Sequence, residues 1–194
     1  MTPKTALLSC IAAVLACTAL ACTTAPDADS GPVLVTLPDG TILQGAGARL
    51  RAVTPQGEPA WTYALDDDAI TTALGIASNS TIYIRGRETL YALSPVGYLL
   101  WKASLPGIPA DASGATRAIY RPVATADSGV VVLVAANRVR AHQPDGIVRW
   151  TLVIPDEATA LTSPLGAPNG DVLIGTDQGL VSISPKGKVN WNRP

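Results

Sequence analysis

The 194-residue sequence contains no phenylalanine, one histidine and three cysteines, and the cysteines (Cys10, Cys17, Cys22) all lie near its start. The rest of the chain therefore offers a folded domain no disulfide, no thiolate nucleophile and no cysteine-based zinc site. The lone histidine, His142, has no nucleophile beside it to activate, so acid–base chemistry has little to work with. Ser163 stands between Thr162 and Pro164, without the glycine-flanked nucleophile elbow of a hydrolase. Basic residues do not cluster, and the formal net charge of −1 becomes about −2 from Cys22 onward, because Lys4 is the only charge before it. A chain of that balance has no electrostatic footprint for nucleic acid.

Long apolar runs are also scarce. The only one, Ala6 to Ala21, is short for a membrane-spanning helix but suited to the core of a signal peptide led by Lys4. Residues 1–21 are thus expected to be a signal peptide. Thr18-Ala19-Leu20-Ala21-Cys22 resembles a bacterial lipobox, with Ala19 where leucine is usual; Val14-Leu15-Ala16-Cys17 is a second candidate that leaves a shorter apolar run. Plain cleavage near Ala21 or Ala25 is the alternative without lipid. Acylation at Cys22 would hold the protein on a membrane with no spanning helix. Residues 22–31, polar and carrying Pro and Asp, then form a tether. The implied address is the bacterial cell envelope, on the periplasmic face of the outer membrane.

What the chain has in quantity is glycine (17), proline (16) and a 47% hydrophobic fraction, the profile of an all-β domain broken by turns. Residues 32–194 resolve into four repeats when aligned on tryptophan: ILQGAGARLRAVTPQGEPAW, IYIRGRETLYALSPVGYLLW, VVLVAANRVRAHQPDGIVRW and VLIGTDQGLVSISPKGKVNW. They close on Trp61, Trp101, Trp150 and Trp191, and the spacing between them is inside or just above the period of a four-stranded propeller blade. Six positions before each Trp is a proline (Pro55, Pro95, Pro144, Pro185), and four before it a glycine (Gly57, Gly97, Gly146, Gly187). Nine before it is a small side chain: Ala52, Ala92, Ala141 or Ser182.

One repeat is readable as physics. A short apolar run such as Ile82 to Ile84 is a strand buried on both faces. A hairpin turn follows, then a strand ending in x-Pro-x-Gly, where proline presets φ and glycine accepts the positive φ of the reversal. The chain returns through the Trp, as in Trp61 to Leu65, Trp101 to Leu105 and Trp150 to Ile154. A further strand precedes each set, at about 32–37, 70–77, 120–125 and 161–167. Four such antiparallel sheets, apolar on both faces, are expected to stack radially as a β-propeller.

The segment LYALSPVGYLLW, residues 90–101, resembles the tryptophan-docking repeat of the pyrroloquinoline quinone (PQQ)-like propellers, whose consensus runs close to L-Y-A-L-D-x-x-G-x-x-x-W. The resemblance covers all four repeats and so most of the chain. It implies that the four Trp, with Gly57, Gly97, Gly146 and Gly187, lock blade to blade as structural residues. It also spans two function classes: quinone-dependent dehydrogenases, and non-catalytic scaffolds such as the outer-membrane assembly lipoprotein that assists barrel insertion. The dehydrogenases of this family have eight blades, a calcium, a catalytic Asp and a vicinal disulfide, none of which can be matched here. The expectation is a binding or scaffold protein with no catalytic residue, metal or cofactor, working on envelope protein partners; a small-ligand or PQQ-binding propeller is the alternative.

Other residues carry weaker readings. His142 occupies a strand position that is Val53, Leu93 and Ile183 elsewhere, so it is expected to be packed or at a rim. Asp66-Asp67-Asp68 reads as a solvated loop, since adjacent carboxylates diverge. Arg49, Arg51, Arg85, Arg87, Arg138 and Arg140 surround the hairpins of three repeats, either as solubilising charge or as a basic rim for an anionic partner. Residues 106–118 are read as an inserted loop. Four blades can form a closed ring, an open arc, or a half-ring that pairs with a second copy; the closed ring is the expectation. For the leader, Cys22→Ala should move the protein from the membrane to the soluble fraction on fractionation, and retention on membranes would refute a lipid anchor at that residue.

Overall fold

A computed structural model of the chain describes residues 33–66, 68–108 and 114–194. They form sixteen strands in four separate four-stranded antiparallel sheets, each a meander of consecutive strands. Blade one holds β1 (Val33–Thr36), β2 (Ile42–Ala46), β3 (Arg49–Val53) and β4 (Pro59–Ala64); blade two holds β5 (Gly75–Ile76), β6 (Ile82–Arg85), β7 (Thr89–Leu93) and β8 (Leu99–Ser104). Blade three holds β9 (Val123–Ala124), β10 (Val130–Ala135), β11 (Arg138–His142) and β12 (Val148–Val153); blade four holds β13 (Leu165–Gly166), β14 (Val172–Thr176), β15 (Gly179–Ile183) and β16 (Val189–Arg193). The leader, Cys22 and the tether lie outside the described residues.

The recurring turn has one geometry. In blade one the Thr54 N–H donates to Glu58 O at 2.8 Å and the Gly57 N–H to Thr54 O at 2.9 Å; Ser94, Gln143 and Ser184 anchor the same pair in the other blades. Gly57, Gly97, Gly146 and Gly187 all sit at positive φ, where a Cβ is disfavoured, hence the invariant glycine of the repeat. The small residue nine before each Trp is its direct partner across the third and fourth strands: Ala52↔Trp61, Ala92↔Trp101, Ala141↔Trp150, Ser182↔Trp191. A register shift follows at once in all four, absorbing the extra residue on the Trp strand.

Three apolar layers hold the sheets together. Leu43, Leu50 and Ala52 of blade one meet Ile82, Ile84, Tyr91 and Leu93 of blade two. Tyr83, Leu90 and Ala92 meet Val130, Val132 and Val134 of blade three. Val131, Leu133, Val139 and Ala141 meet Val172, Ile174, Val181 and Ile183 of blade four. Strands β6 and β10 are consequently buried on both faces, whereas β2 and β14 alternate, because blades one and four are each covered on one side. The described residues therefore form an open arc in place of the expected closed ring. Each layer of bulky side chains keeps neighbouring sheets about 10 Å apart, and three such wedges leave the first and fourth sheets unpaired.

Other expectations also change. The first strand of blades two to four shrinks to a single pair of residues, much shorter than the sequence predicts. Around β5 the backbone is crowded, since a Cβ added at Gly75 would lie 2.6 Å from the Pro122 carbonyl oxygen. The approach to β5 instead buries Ile70 and Leu74 as a packed connection. Within the insertion expected to be loop, residues 114–118 form one helical turn, α1. Arg85, grouped above with the surface arginines, is fully buried.

The inter-blade layer sets the stability. Trp101→Ala should cost about 3–5 kcal/mol, whereas Tyr98→Ala, at a side chain 73% exposed, should stay within about 0.5 kcal/mol. Urea denaturation of the two variants checks the contrast.

Candidate functional site

The tryptophans make their contacts forward, onto the next repeat. Trp61 Nε1–H donates to Pro95 O at 3.1 Å, Trp101 to Pro144 O at 2.7 Å and Trp150 to Pro185 O at 3.0 Å. A Cβ at Gly97, Gly146 or Gly187 would come within 2.7 Å of the preceding repeat's indole, so glycine makes the slot into which the ring lies. At the two ends the device is unused: nothing described lies within 4 Å of a Cβ built at Gly57, and Trp191 is 36% exposed. The spacing within a repeat does not show which repeat's glycine receives a given Trp; the structure places each indole on the turn of the following repeat.

The same turns build a surface. Residues flanking the turn glycine point outward, and they differ between repeats: Gln56 and Glu58, Val96 and Tyr98, Asp145 and Ile147, Lys186 and Lys188. In blades two and three the outer strand continues as Leu99-Leu100 and Val148. All of Val96, Tyr98, Leu99, Leu100, Ile147 and Val148 are exposed large apolar side chains. Trp101 of blade two rests on Gly146 of the blade-three turn, so these exposed side chains form a band on two neighbouring blades, with Asp145 within it, Glu58 on the turn of blade one and the two lysines on that of blade four. Exposed apolar side chains with charged margins are the chemistry of a macromolecular contact. The signal was available in the repeats as VGYLL, whose Val96 and Tyr98 stand where repeat one has Gln56 and Glu58 and repeat four has Lys186 and Lys188.

The opposite hairpins carry mixed charge among the described residues, with exposed Arg49, Arg87 and Arg138 as well as exposed Asp66, Glu88 and Asp177. A groove of about 620 Å³ there is lined by Asp66, Asp68, Ala69, Arg87, Glu88 and Thr89. Asp66 accepts from Lys102 Nζ at 3.0 Å, and Asp68 Oδ1 accepts the backbone N–H groups of Ala69 and Arg87 at 2.8 and 2.6 Å; Asp67 lies outside the described residues. Among the described residues no group of His, Cys, Asp and Glu is placed to hold a metal. Arg85 extends beneath this rim, donating to Pro106 O at 2.6 Å. Its Nε and Nη1 have no partner among the described residues, and burial pushes its pKa down to about 10, still protonated at neutral pH.

His142 is buried and stacked on Trp101, with ring centroids 5.7 Å apart. Its Nδ1–H donates to Gly146 O at 2.9 Å, which fixes the neutral tautomer and ties the ring to the turn that receives Trp101. Nε2 faces no partner among the described residues, and burial depresses the pKa. At the other inter-blade groove, between blades three and four, Asp127 accepts from Arg149 and from Thr125 Oγ1, and these bonds hold its carboxyl down to about 2.

No protein-family model and no curated protein sequence matches the chain. Solved structures do. BamB from Moraxella catarrhalis is 23% identical with a TM-score of 0.63, over 81% of this chain and 47% of that one. A catalytically inactive H270A virginiamycin B lyase from Staphylococcus aureus, solved with quinupristin, is 14% identical with a TM-score of 0.62, over 88% and 58%. The quinohemoprotein alcohol dehydrogenase ADHIIG from Pseudomonas putida HK5 is 15% identical with a TM-score of 0.56, over 79% and 33%. The chain spans about a third to three-fifths of the length of these structures. Their shared architecture is the β-propeller, in keeping with the PQQ-like repeat, and that fold is common to a lyase, a dehydrogenase and BamB.

Because burial lowers the His142 pKa in the folded chain, the unfolded chain takes up its proton first as pH falls through about 6.5 and below. Its contribution to stability is therefore present above that value and lost beneath it. Urea midpoints should fall between pH 7.5 and 5.5 for the wild type, and fall less for His142→Leu.

Proposed function

We propose that this protein is a non-catalytic binding propeller of the bacterial cell envelope, tethered to the membrane through Cys22, which contacts protein partners with the apolar band on blades two and three. The observation that carries the reading is that band. Its large apolar side chains, on the outer edge of two adjacent blades, are left in water by a fold whose core residues bury at three inter-blade layers. Their placement on rigid hairpins, each closed by the turn glycine, presents them without a conformational cost on binding.

The remaining support is consistent in kind. The lipobox-like leader suits an exported, anchored chain with a polar tether. The repeat resembles a family that includes non-catalytic envelope scaffolds, and BamB stands among the structural neighbours. A partner segment with apolar anchors, a basic end toward Glu58 and an acidic end toward Lys186 and Lys188 complements the band.

Photo-crosslinking from an unnatural amino acid at position 98 in intact envelopes should trap discrete protein adducts, and Leu100→Asp should reduce them at least fivefold without lowering the thermal midpoint. Equal labelling from position 98 and from a control at Gln178 on the opposite rim would refute the band as a binding face. Titration with PQQ, with and without calcium, separates the quinone-dependent class: no saturable spectral shift is expected, and one would overturn the non-catalytic reading.

A further inference from the structure

The two ends of the arc carry the two halves of the contact that joins its blades. Blade four presents Trp191 with no turn to receive it, and blade one presents the Pro55–Gly57 turn with no described indole upon it. The sheet faces behind these elements match as well. The outward face of blade four places Leu173 opposite Ser182 and Gly175 opposite Leu180. Blade one has Leu43 opposite Ala52 and Gly45 opposite Leu50 on the face that blade two covers, with both leucines fully buried. The same Leu–Gly–Leu pattern in blade four is left uncovered. Leu180 is 40% exposed, Leu165 is exposed beside it, and a groove of about 520 Å³ opens over Leu165, Leu173, Gly175 and Leu180.

The free face of blade one fits that groove by the same comparison. It pairs Gln44 with Arg51 and Arg51 with Thr62. The face by which blade three docks on blade two pairs Val132 with Arg140 and Arg140 with Thr151. Arg140 is half-buried there and its Nε donates to Thr151 Oγ1 at 3.3 Å. An arginine at this position, backed by a threonine on the fourth strand, is thus already accommodated at a junction of this arc. Ile42 and Val53 flank Gln44 and Arg51 on the same face of the sheet.

We infer that two copies of this chain join head to tail, Trp191 of each lying on the Pro55–Gly57 turn of the other, to form one two-fold-symmetric ring of eight blades. A head-to-tail contact either closes or propagates as a filament. Two arcs are the fewest that leave no end unused, because each supplies one Trp191 and one Pro55–Gly57 turn. The ring is independent of the apolar band, which lies on the outer edge of blades two and three and stays accessible in it, so either idea can fail without the other.

Light scattering on the full chain in mild detergent, with the detergent subtracted, should give twice the single-chain mass. Trp191→Ala, and separately Leu180→Glu, should raise the concentration at which the pair dissociates at least tenfold while the far-UV circular dichroism is unchanged. Gly57→Ala should do the same from the other end. A mixture of Trp191→Ala and Gly57→Ala chains should regain pairs at concentrations where each alone is single, since it restores one intact junction. A single-chain mass at every concentration, masses climbing past two copies, or a pair indifferent to all three substitutions would each overturn the ring.

Discussion

The structure depends on one contact made three times: an indole laid across the turn glycine of the following blade, its N–H on the carbonyl of that turn's proline. Flat sheets with two apolar faces can slide over one another, because dispersion and burial are non-directional. The indole removes that freedom. Its ring needs a site with no Cβ, which the positive-φ glycine supplies, and its donor needs an acceptor at one position, which the proline carbonyl supplies. Net, such a hydrogen bond adds only about 1 kcal/mol; its larger effect is to fix the register in which the apolar layers meet. Within each repeat the small residue opposite the Trp and the register shift after it aim the ring forward, so the sheet and the junction are set by the same short segment.

Much of this is legible in the sequence, because it is periodic. The Pro–x–Gly turn, the small residue and the Trp recur at constant spacing, and each has a local physical reason to be there. The destination of the indole is not legible, since an alignment of repeats shows what stands in each copy and not which copy touches which. The inner strands are shorter than their composition suggests: Ile70 and Leu74 are as apolar as strand residues, yet they bury as a connection while the crowded backbone at Gly75 leaves two residues to pair. Arg85 departs from expectation for a related reason. Its neighbours Arg49, Arg87 and Arg138 are exposed, and only the third dimension shows that its side chain turns under the rim toward Pro106. The openness of the arc also lies beyond periodicity, because a repeat specifies its junction and not how many junctions make a circle.

The site follows the same division. Positions that build the junction are nearly constant, and positions beside them on the same turns are free to vary. That freedom is where the apolar band of Val96, Tyr98, Leu99, Leu100, Ile147 and Val148 sits. A turn held rigid for docking presents its variable residues in fixed positions, so structure and recognition share one hairpin without sharing a side chain. His142 marks the boundary between them: stacked on Trp101 and bonded to Gly146 O, it belongs to the junction, although its residue type invites a catalytic reading.

The account is tested most directly by hydrogen exchange at the indole nitrogens, followed by NMR on the labelled protein. Trp61, Trp101 and Trp150 should exchange as slowly as backbone amides of the central strands β6 and β10, since each N–H is released only when a junction opens. Indole exchange at the rate of free tryptophan, with those strand amides still protected, would show that the blades are held without the contact on which this description rests.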